Sequence, residues 1–589
     1  MQWRRSDVSD DALKQYHLVI PAEDIVHGAD VIVHSLIDHG VRYLPGISGN
    51  SVLDILDAMY DRNEIKYFTV RHEQVAAGIA DGWARATGET GTFMTHVGPG
   101  VCQAVVGMAC SYRDSVPVVL ITGDQDQDKM GRDQWHEIDQ LALLRPICKW
   151  SVRIERPTDI PRIMRTAYVR ARTGRPGPVH VNIPKDVSGA KVENPEALQT
   201  TKPSYVSRRV WPDPDEVKRA YEIFANAARP ILMVGGGVYW AGAAAALTKA
   251  VETLGVPVVT TPKGRGNLPE DHPLCFGIVG QTGSVTANRM LFDADVVLAV
   301  GARLSDNSTL TWTLINDKAK IIQVDIDANE MARQYPVALA IVSDARSFLE
   351  SLRASAAMAG VTAARDWGEL AALPRIRDGQ AERKAEREKF FDVPTDHVPI
   401  KPQYVVREAS NAIRRDAFVV LGSGFHPLFF NKVPIYHPGG FIKSMALGAM
   451  GVGFAQALGA KLAFPQRQVV LLTGDGDFSM TTPDLETAVR EKINVVCVIS
   501  NDRGFNSLRS FQRARFRGRV IGSDLGDINF AKLAEVYGAL GERITEPKMF
   551  APAFRRLLDA DRPAVIDVMT DASQQPPRFA DVRAFLGLQ

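Results

Sequence analysis

Gln468-Val469-Val470-Leu471-Leu472, followed by Gly474-Asp475-Gly476-Asp477-Phe478, is an apolar strand that stops on an acidic, glycine-rich turn. A helix-like stretch, Pro483 to Glu491, leads to a second apolar strand, Val495 to Ile499, and then to Ser500-Asn501-Asp502-Arg503-Gly504. Strand, turn, helix, strand and a second acidic turn make one βαβ unit. In a parallel unit both turns fall at the carboxyl ends of neighbouring strands, where open α/β sheets hold their ligands. Asp475 and Asp502 are therefore expected to face one another. Two carboxylates beside glycine-rich backbone suit Mg²⁺, which takes one or two carboxylates together with phosphate oxygens. The competing reading is a pair of ordinary βα turns with solvated aspartates.

The same rhythm extends in both directions. A helical pattern at 28–39 precedes a strand at 41–44 and the turn Pro45-Gly46-Ile47-Ser48-Gly49-Asn50. Strands at 67–70 and 91–96 flank a helix at 73–87 that is rich in alanine and glycine. Apolar strands recur at 231–234, 296–300, 321–326 and 418–421. Strands alternating with helices at this spacing predict an α/β fold of doubly wound parallel sheets. Three such domains are expected, over 20–190, 207–365 (nucleotide-binding-like) and 395–575. Residues 194–206 read as a linker, and the charged stretch 366–393 as a solvated connecting helix.

Bulk properties exclude several classes. The 589 residues carry a net charge of +1 without blocks of one sign, so no nucleic-acid partner is expected. No apolar run approaches the roughly 20 residues of a membrane span, and Met1-Gln2-Trp3-Arg4-Arg5 lacks the apolar core of a signal peptide. Cys102, Cys110, Cys148, Cys275 and Cys497 show no metal-type spacing and read as reduced core thiols of a cytoplasmic protein.

Gly474-Asp475-Gly476 closing on Asn501-Asp502 resembles the diphosphate-and-metal motif of thiamine-diphosphate enzymes. Arg71-His72-Glu73, ahead of Gly82-Trp83-Ala84-Arg85-Ala86, resembles the pyrimidine-binding domain of the acetolactate synthase group. By that resemblance Glu73 bonds the N1′ of the aminopyrimidine ring and starts a proton relay. The task needs a carboxyl able to hold a proton near neutral pH, which burial provides. In Gly422-Ser423-Gly424-Phe425-His426, the residues Gly424, Phe425 and His426 correspond to the family's diphosphate contacts, and Phe425 replaces a glutamine. Within Ser444 to Gly453, Gly448 offers a carbonyl to the cofactor's amino group and Met450 wedges between its two rings. Gly474, Asp475, Gly476 and Asp477 hold the diphosphate. Asp475, Asp502 and the carbonyl of Arg503 or Gly504 hold Mg²⁺, with Asn501 the alternative second side chain.

Departures from the family gather on the substrate side. His96 precedes Val97-Gly98-Pro99-Gly100 where acetolactate synthases have a small hydroxyl residue and benzoylformate decarboxylase has an active-site histidine. Asp124 replaces a glutamine, His136 replaces another beside Trp135, and Phe511 stands where acetolactate synthases carry a tryptophan. With Gly49 and Phe505 these residues mark the substrate pocket, while Asn50 joins Glu73 and His96 as a catalytic candidate. In the middle domain, Gly236, Gly237, Gly283, Arg303, Asp306 and Asp325 are the candidate FAD contacts. Relatives carry FAD, ADP or nothing there.

The resemblance implies thiamine diphosphate and Mg²⁺, decarboxylation of a 2-oxo acid, and ligation of the resulting carbanion equivalent to a second carbonyl compound. The alternatives are simple decarboxylation of the benzoylformate decarboxylase type, with His96 as proton donor, and a 2-hydroxy ketone lyase. A catalytically silent relative is disfavoured by the joint presence of Glu73, Met450 and Asp475. The family's cofactor spans two subunits, which implies a homodimer or homotetramer.

Overall fold

The structure, a computed structural model, describes residues 26–192, 209–579 and 582. The linker expected at 194–206 and the opening residues lie outside them. The described strands form three six-stranded sheets in which every neighbouring pair is parallel. Their central strands are buried from end to end, as helices on both faces require.

The first sheet contains β1 (Tyr43–Gly46), β2 (Lys66–Thr69), β3 (Gly91–Thr95), β4 (Val118–Asp124), β5 (Trp150–Arg153) and β6 (Val179–Pro184), in the order β2-β1-β3-β4-β6-β5. The middle sheet contains β7 (Pro230–Val234), β8 (Val258–Thr260), β9 (Cys275–Ile278), β10 (Val296–Val300), β11 (Lys320–Asp325) and β12 (Leu339–Val342), ordered β9-β8-β7-β10-β11-β12. That is the winding of dinucleotide-binding sheets, with its reversal between β7 and β10. The third contains β13 (Phe418–Leu421), β14 (Phe441–Ile442), β15 (Val469–Gly474), β16 (Val496–Asn501), β17 (Leu540–Ile544) and β18 (Ala564–Met569), ordered β14-β13-β15-β16-β18-β17. It repeats the winding of the first sheet. In both, the order reverses at the crevice where the chemistry-bearing turns emerge: after β1 and β3, and after β13 and β15.

First and third sheets share one apolar cluster, built on the helices Glu73–Thr87 and Gly453–Ala463. Small residues let these helices touch backbone to backbone. A Cβ on Gly82 would sit 2.1 Å from Gln456 O, and one on Gly459 would sit 2.1 Å from Ile79 O. Neither carbonyl can retreat, so Gly82→Ala is expected to cost about 1–3 kcal/mol by overpacking. A drop in the urea midpoint measures it; an unchanged midpoint would show that the contact is slack.

Two expectations need correction. The charged helix Pro374–Phe391 is more than a solvated connector: Arg383 Nη1 donates to Glu270 O (2.9 Å) and Cys275 O (2.8 Å), and Glu386 pairs with Lys432 at 3.0 Å. Its charges strap the middle sheet to the third. Among the five cysteines, all free, Cys102 is exposed because it lies on the outer face of the helix Pro99–Asp114.

Candidate active site

β15 runs through Gly474, and the chain turns directly into a helical turn, Asp475–Phe478, in place of the expected open turn. β16 runs through Asn501 and delivers Asp502 beside it. Asp475 Oδ2 accepts a hydrogen bond from Gly504 N at 2.9 Å. Burial, then the facing Asp502 carboxylate, pushes the Asp475 carboxyl up to about 6. His426 Nε2 stands 2.7 Å from Asp502 Oδ2 but out of line for a hydrogen bond. Both nitrogens of His426 and both carboxylate oxygens of Asp502 are buried without a hydrogen-bond partner. Buried polar atoms left in this state are costly, and a divalent cation with its oxygen ligands satisfies them. Among the described residues no three His, Cys, Asp or Glu side chains converge as a metal cage. The corner is thus a two-carboxylate site that requires further oxygens, the habit of Mg²⁺ bound with a phosphate.

Asn501 faces elsewhere: its Nδ2 donates to Asp567 Oδ1 (2.9 Å) and Ile528 O (3.2 Å), and its Oδ1 accepts from Arg503 N. Arg509, which the sequence did not signal, is buried and locks the turn by donating to Asp502 O at 3.0 Å and to Arg503 O. Of the two candidate third ligands, the Arg503 carbonyl is therefore engaged by a guanidinium, and that of Gly504 accepts from Asn506 N at 3.0 Å.

Two glycines open the cradle. Gly424 (φ +120°) and Gly448 (φ +67°) are exposed, with nothing within 4 Å of a built Cβ, so backbone and not space demands glycine there. Phe425 and His426 are buried beside Gly424. Asp477, expected to touch cofactor, has its carboxylate engaged within the protein: it accepts from Gly451 N (2.8 Å) and Thr473 Oγ1 (2.5 Å) and so fixes the end of the Met450 loop. A Cβ on Gly476 would meet the Phe505 ring at 2.6 Å, so Phe505 lies across this turn.

Glu73 is the first residue of its helix and 6% exposed, and burial raises its carboxyl above the ordinary glutamate range. Gln74 Nε2 donates to Met450 O at 3.2 Å, so the start of the Glu73 helix and the Met450 loop already meet within one chain.

On the substrate side, Ser51 Oγ is 2.8 Å from His96 Nδ1, and His96 Nε2 is 2.9 Å from His136 Nδ1. Ser51 Oγ also accepts from Val97 N, so the hydroxyl is anchored to the turn after β3 while it meets the His96 ring. Burial, then His136, lowers the His96 pKa, so the ring is neutral at pH 7. A Cβ on Gly49 would clash with this ring at 2.3 Å. Ser51 was not singled out by the sequence; a hydroxyl one residue past Asn50 was the available signal. Trp135 is 82% exposed and tilts against His136. Asp124 is closed off by an ion pair with Arg153 (3.1 Å) and accepts from Gln125 N, so it is not a free pocket group. Asn50 is exposed, 3.5 Å from Lys185 Nζ. Phe511 lies partly exposed under the guanidinium groups of Arg515 and Arg578.

A cavity of about 1180 Å³ opens at the reversal of the middle sheet. Gly236, Gly237, Arg303, Asp306 and Asp325 line it, and Asp325 is pushed up to about 6 by burial. Gly283 is absent from its wall. A Cβ there would meet Ile278 O at 2.5 Å, which makes Gly283 a tight-turn residue behind β9.

Comparison with known proteins gives a consistent result. The family models described as thiamine pyrophosphate enzyme N-terminal TPP binding domain, central domain and C-terminal TPP binding domain match residues 26–143, 217–352 and 422–568. A probable acetolactate synthase large subunit of Methanocaldococcus jannaschii is 34% identical, over 93% of each chain. The acetolactate synthase isozyme 3 large subunit of Escherichia coli is 34% identical, over 94% of this chain and 96% of its own. The acetolactate synthase large subunit of Lactococcus lactis is 30% identical, over 94% of each.

Proposed function

This chain belongs to the acetolactate synthase family of thiamine pyrophosphate enzymes, and from that premise we propose that it decarboxylates a 2-oxo acid and ligates the carbanion equivalent to a second carbonyl compound. Thiamine diphosphate, when bound, supplies the electron sink for the negative charge left by loss of CO₂. Asp475 and Asp502 would hold Mg²⁺ and, with Gly424 and His426, the diphosphate; Gly448 and Met450 would hold the rings. Glu73 holds or shares a proton at the pyrimidine, with a carboxyl that burial keeps protonated further toward neutral pH. The observation that carries the reading is the buried Glu73 beside the Met450 loop, joined to it through Gln74.

The Ser51–His96–His136 chain favours a second reading, in which the hydrogen-bonded relay passes a proton to the carbanion equivalent, each ring regaining one from its neighbour and finally from solvent, and an aldehyde is released, as in a benzoylformate-type decarboxylase. Product analysis separates the two. With pyruvate or an aromatic 2-oxo acid and an added aldehyde, ligation gives a 2-hydroxy ketone or 2-hydroxy acid, and protonation gives only free aldehyde. Absence of CO₂ release from every 2-oxo acid tried would overturn both.

The middle cavity is proposed to take FAD, supported by the strand order, the glycine turns after β7 and the wall of Arg303, Asp306 and Asp325. A purified protein carrying flavin absorbance is the expected result, and a colourless one would count against it. A homodimer or homotetramer in the cytoplasm completes the proposal. Five free thiols suit a reducing compartment, and among the described residues no helix is long and apolar enough to cross a membrane.

A further inference from the structure

The cavity and the loop carrying Gly448 and Met450 share one buried residue. Asp114 ends the helix Pro99–Asp114 of the first domain, and its carboxylate has no exposure. It accepts hydrogen bonds from Met445 N (2.9 Å), Ala446 N (3.0 Å) and Arg85 Nη2 (2.9 Å). Lys263 Nζ, from the middle domain, lies 2.6 Å from its Oδ1. Arg85 also donates to Lys443 O at 3.0 Å, so the loop is gripped at both Lys443 and Ala446. Three sheets therefore meet at one carboxylate. Asp114, Lys263, Met445 and Ala446 all line the cavity.

We propose that Asp114 is a positioning residue that, held by Lys263, sets the Met445–Met450 loop for thiamine diphosphate and couples its binding to the contents of the cavity. The inference rests on the reading of that loop as a cofactor contact, and its coupling arm rests on the cavity as a flavin dinucleotide site. Lys263 keeps 22% of its side chain exposed while Asp114 has none. The Lys263 Nζ is itself buried, so the part that faces the cavity is the aliphatic stem, which covers the ion contact from that side. A ligand that packs on the stem excludes water from around the ion contact, lowers the local dielectric and strengthens it. Main-chain donors at Met445 and Ala446 are then held more firmly, and less ordering remains for thiamine diphosphate to impose. By linkage, thiamine diphosphate tightens the cavity ligand by the same factor.

The test titrates thiamine diphosphate into full-length, cofactor-free protein with Mg²⁺, following tryptophan fluorescence or heat, with and without FAD. In the unaltered protein FAD is expected to lower the thiamine diphosphate Kd about five- to tenfold, at the low end of known couplings. Lys263→Met leaves Asp114 its guanidinium and two N–H donors and so preserves the fold. It is expected to raise the FAD-free Kd several-fold and to abolish the tightening by FAD. Asp114→Asn moves both readouts the same way and further. A purely structural role would shift the thermal midpoint and leave the Kd of the folded protein unchanged. An unaltered Kd in Lys263→Met overturns the positioning role. Saturable FAD binding that leaves the thiamine diphosphate Kd unmoved overturns the coupling and spares the flavin reading. Failure of FAD to bind, with thiamine diphosphate weakened in Lys263→Met, upholds the positioning role and removes the flavin reading alone.

Discussion

Glu73→Gln is expected to lower kcat about 10³-fold while thiamine diphosphate still binds and the protein is no less stable. General acid–base groups contribute about 10²–10⁴-fold, and a thousandfold loss corresponds to about 4 kcal/mol of barrier. Glutamine keeps the shape and one carbonyl-type acceptor beside Gly100 but cannot give or take the proton. The stability prediction follows from the sign of the pKa shift. Burial raises the Glu73 carboxyl above its unfolded value. For an acid shifted upward, the ionised form is the one the fold disfavours, so its cost appears as pH rises past the ordinary glutamate value. Glutamine carries no such cost. Its thermal midpoint at pH 7–8 should equal or exceed that of the unaltered protein, with a flatter pH dependence. Activity within tenfold of the unaltered enzyme would remove Glu73 from the proton relay. Lost activity with lost cofactor affinity would instead make it a binding residue.

Local signals in the chain were sufficient for the elements that carry Glu73 and Asp475. The helix Glu73–Thr87 and the strands Phe418–Leu421 and Val296–Val300 stand where apolar period and small-residue content put them. Strand β16 overran its expected end, because Ser500 and Asn501 still pair with Val568 and Met569. That extension turns Asn501 into the sheet and brings Asp502 to the corner. What the sequence could not say is which acid is already engaged. Asp477 and Asp124 look as available as Asp475 until their partners, Gly451 N and Arg153, arrive from elsewhere in the chain. Ser51 with His96, Gln74 with Met450, and Lys263 with Asp114 are likewise long-range pairs with no local pattern. The substrate side is least legible for this reason: its geometry is made almost wholly of such pairs.

Asp475→Asn should separate folding from cofactor binding by moving them in opposite directions. Two buried carboxylates face one another at this corner, and burial with the neighbouring Asp502 pushes Asp475 up to about 6. Replacing one by a neutral amide of equal size removes the repulsion, so the cofactor-free protein should melt at a higher temperature. The same change removes an anionic ligand from the Mg²⁺ site. Truncating one member of a buried charged contact costs about 2–5 kcal/mol, so thiamine diphosphate affinity in Mg²⁺ should fall about 100-fold, or about 2.7 kcal/mol. Asp502→Asn should behave alike, since its two oxygens have no hydrogen bond to lose. Asn501→Ala is the contrasting variant. It strips Asp567, Ile528 and Arg503 of their partners and should lower the melting temperature. The Mg²⁺ concentration for half-maximal cofactor binding should stay unchanged, because Asn501 points into the sheet. If Asn501→Ala raises that concentration and Asp502→Asn does not, the second ligand is the asparagine, and the turn after β16 is shifted by one residue when the metal binds.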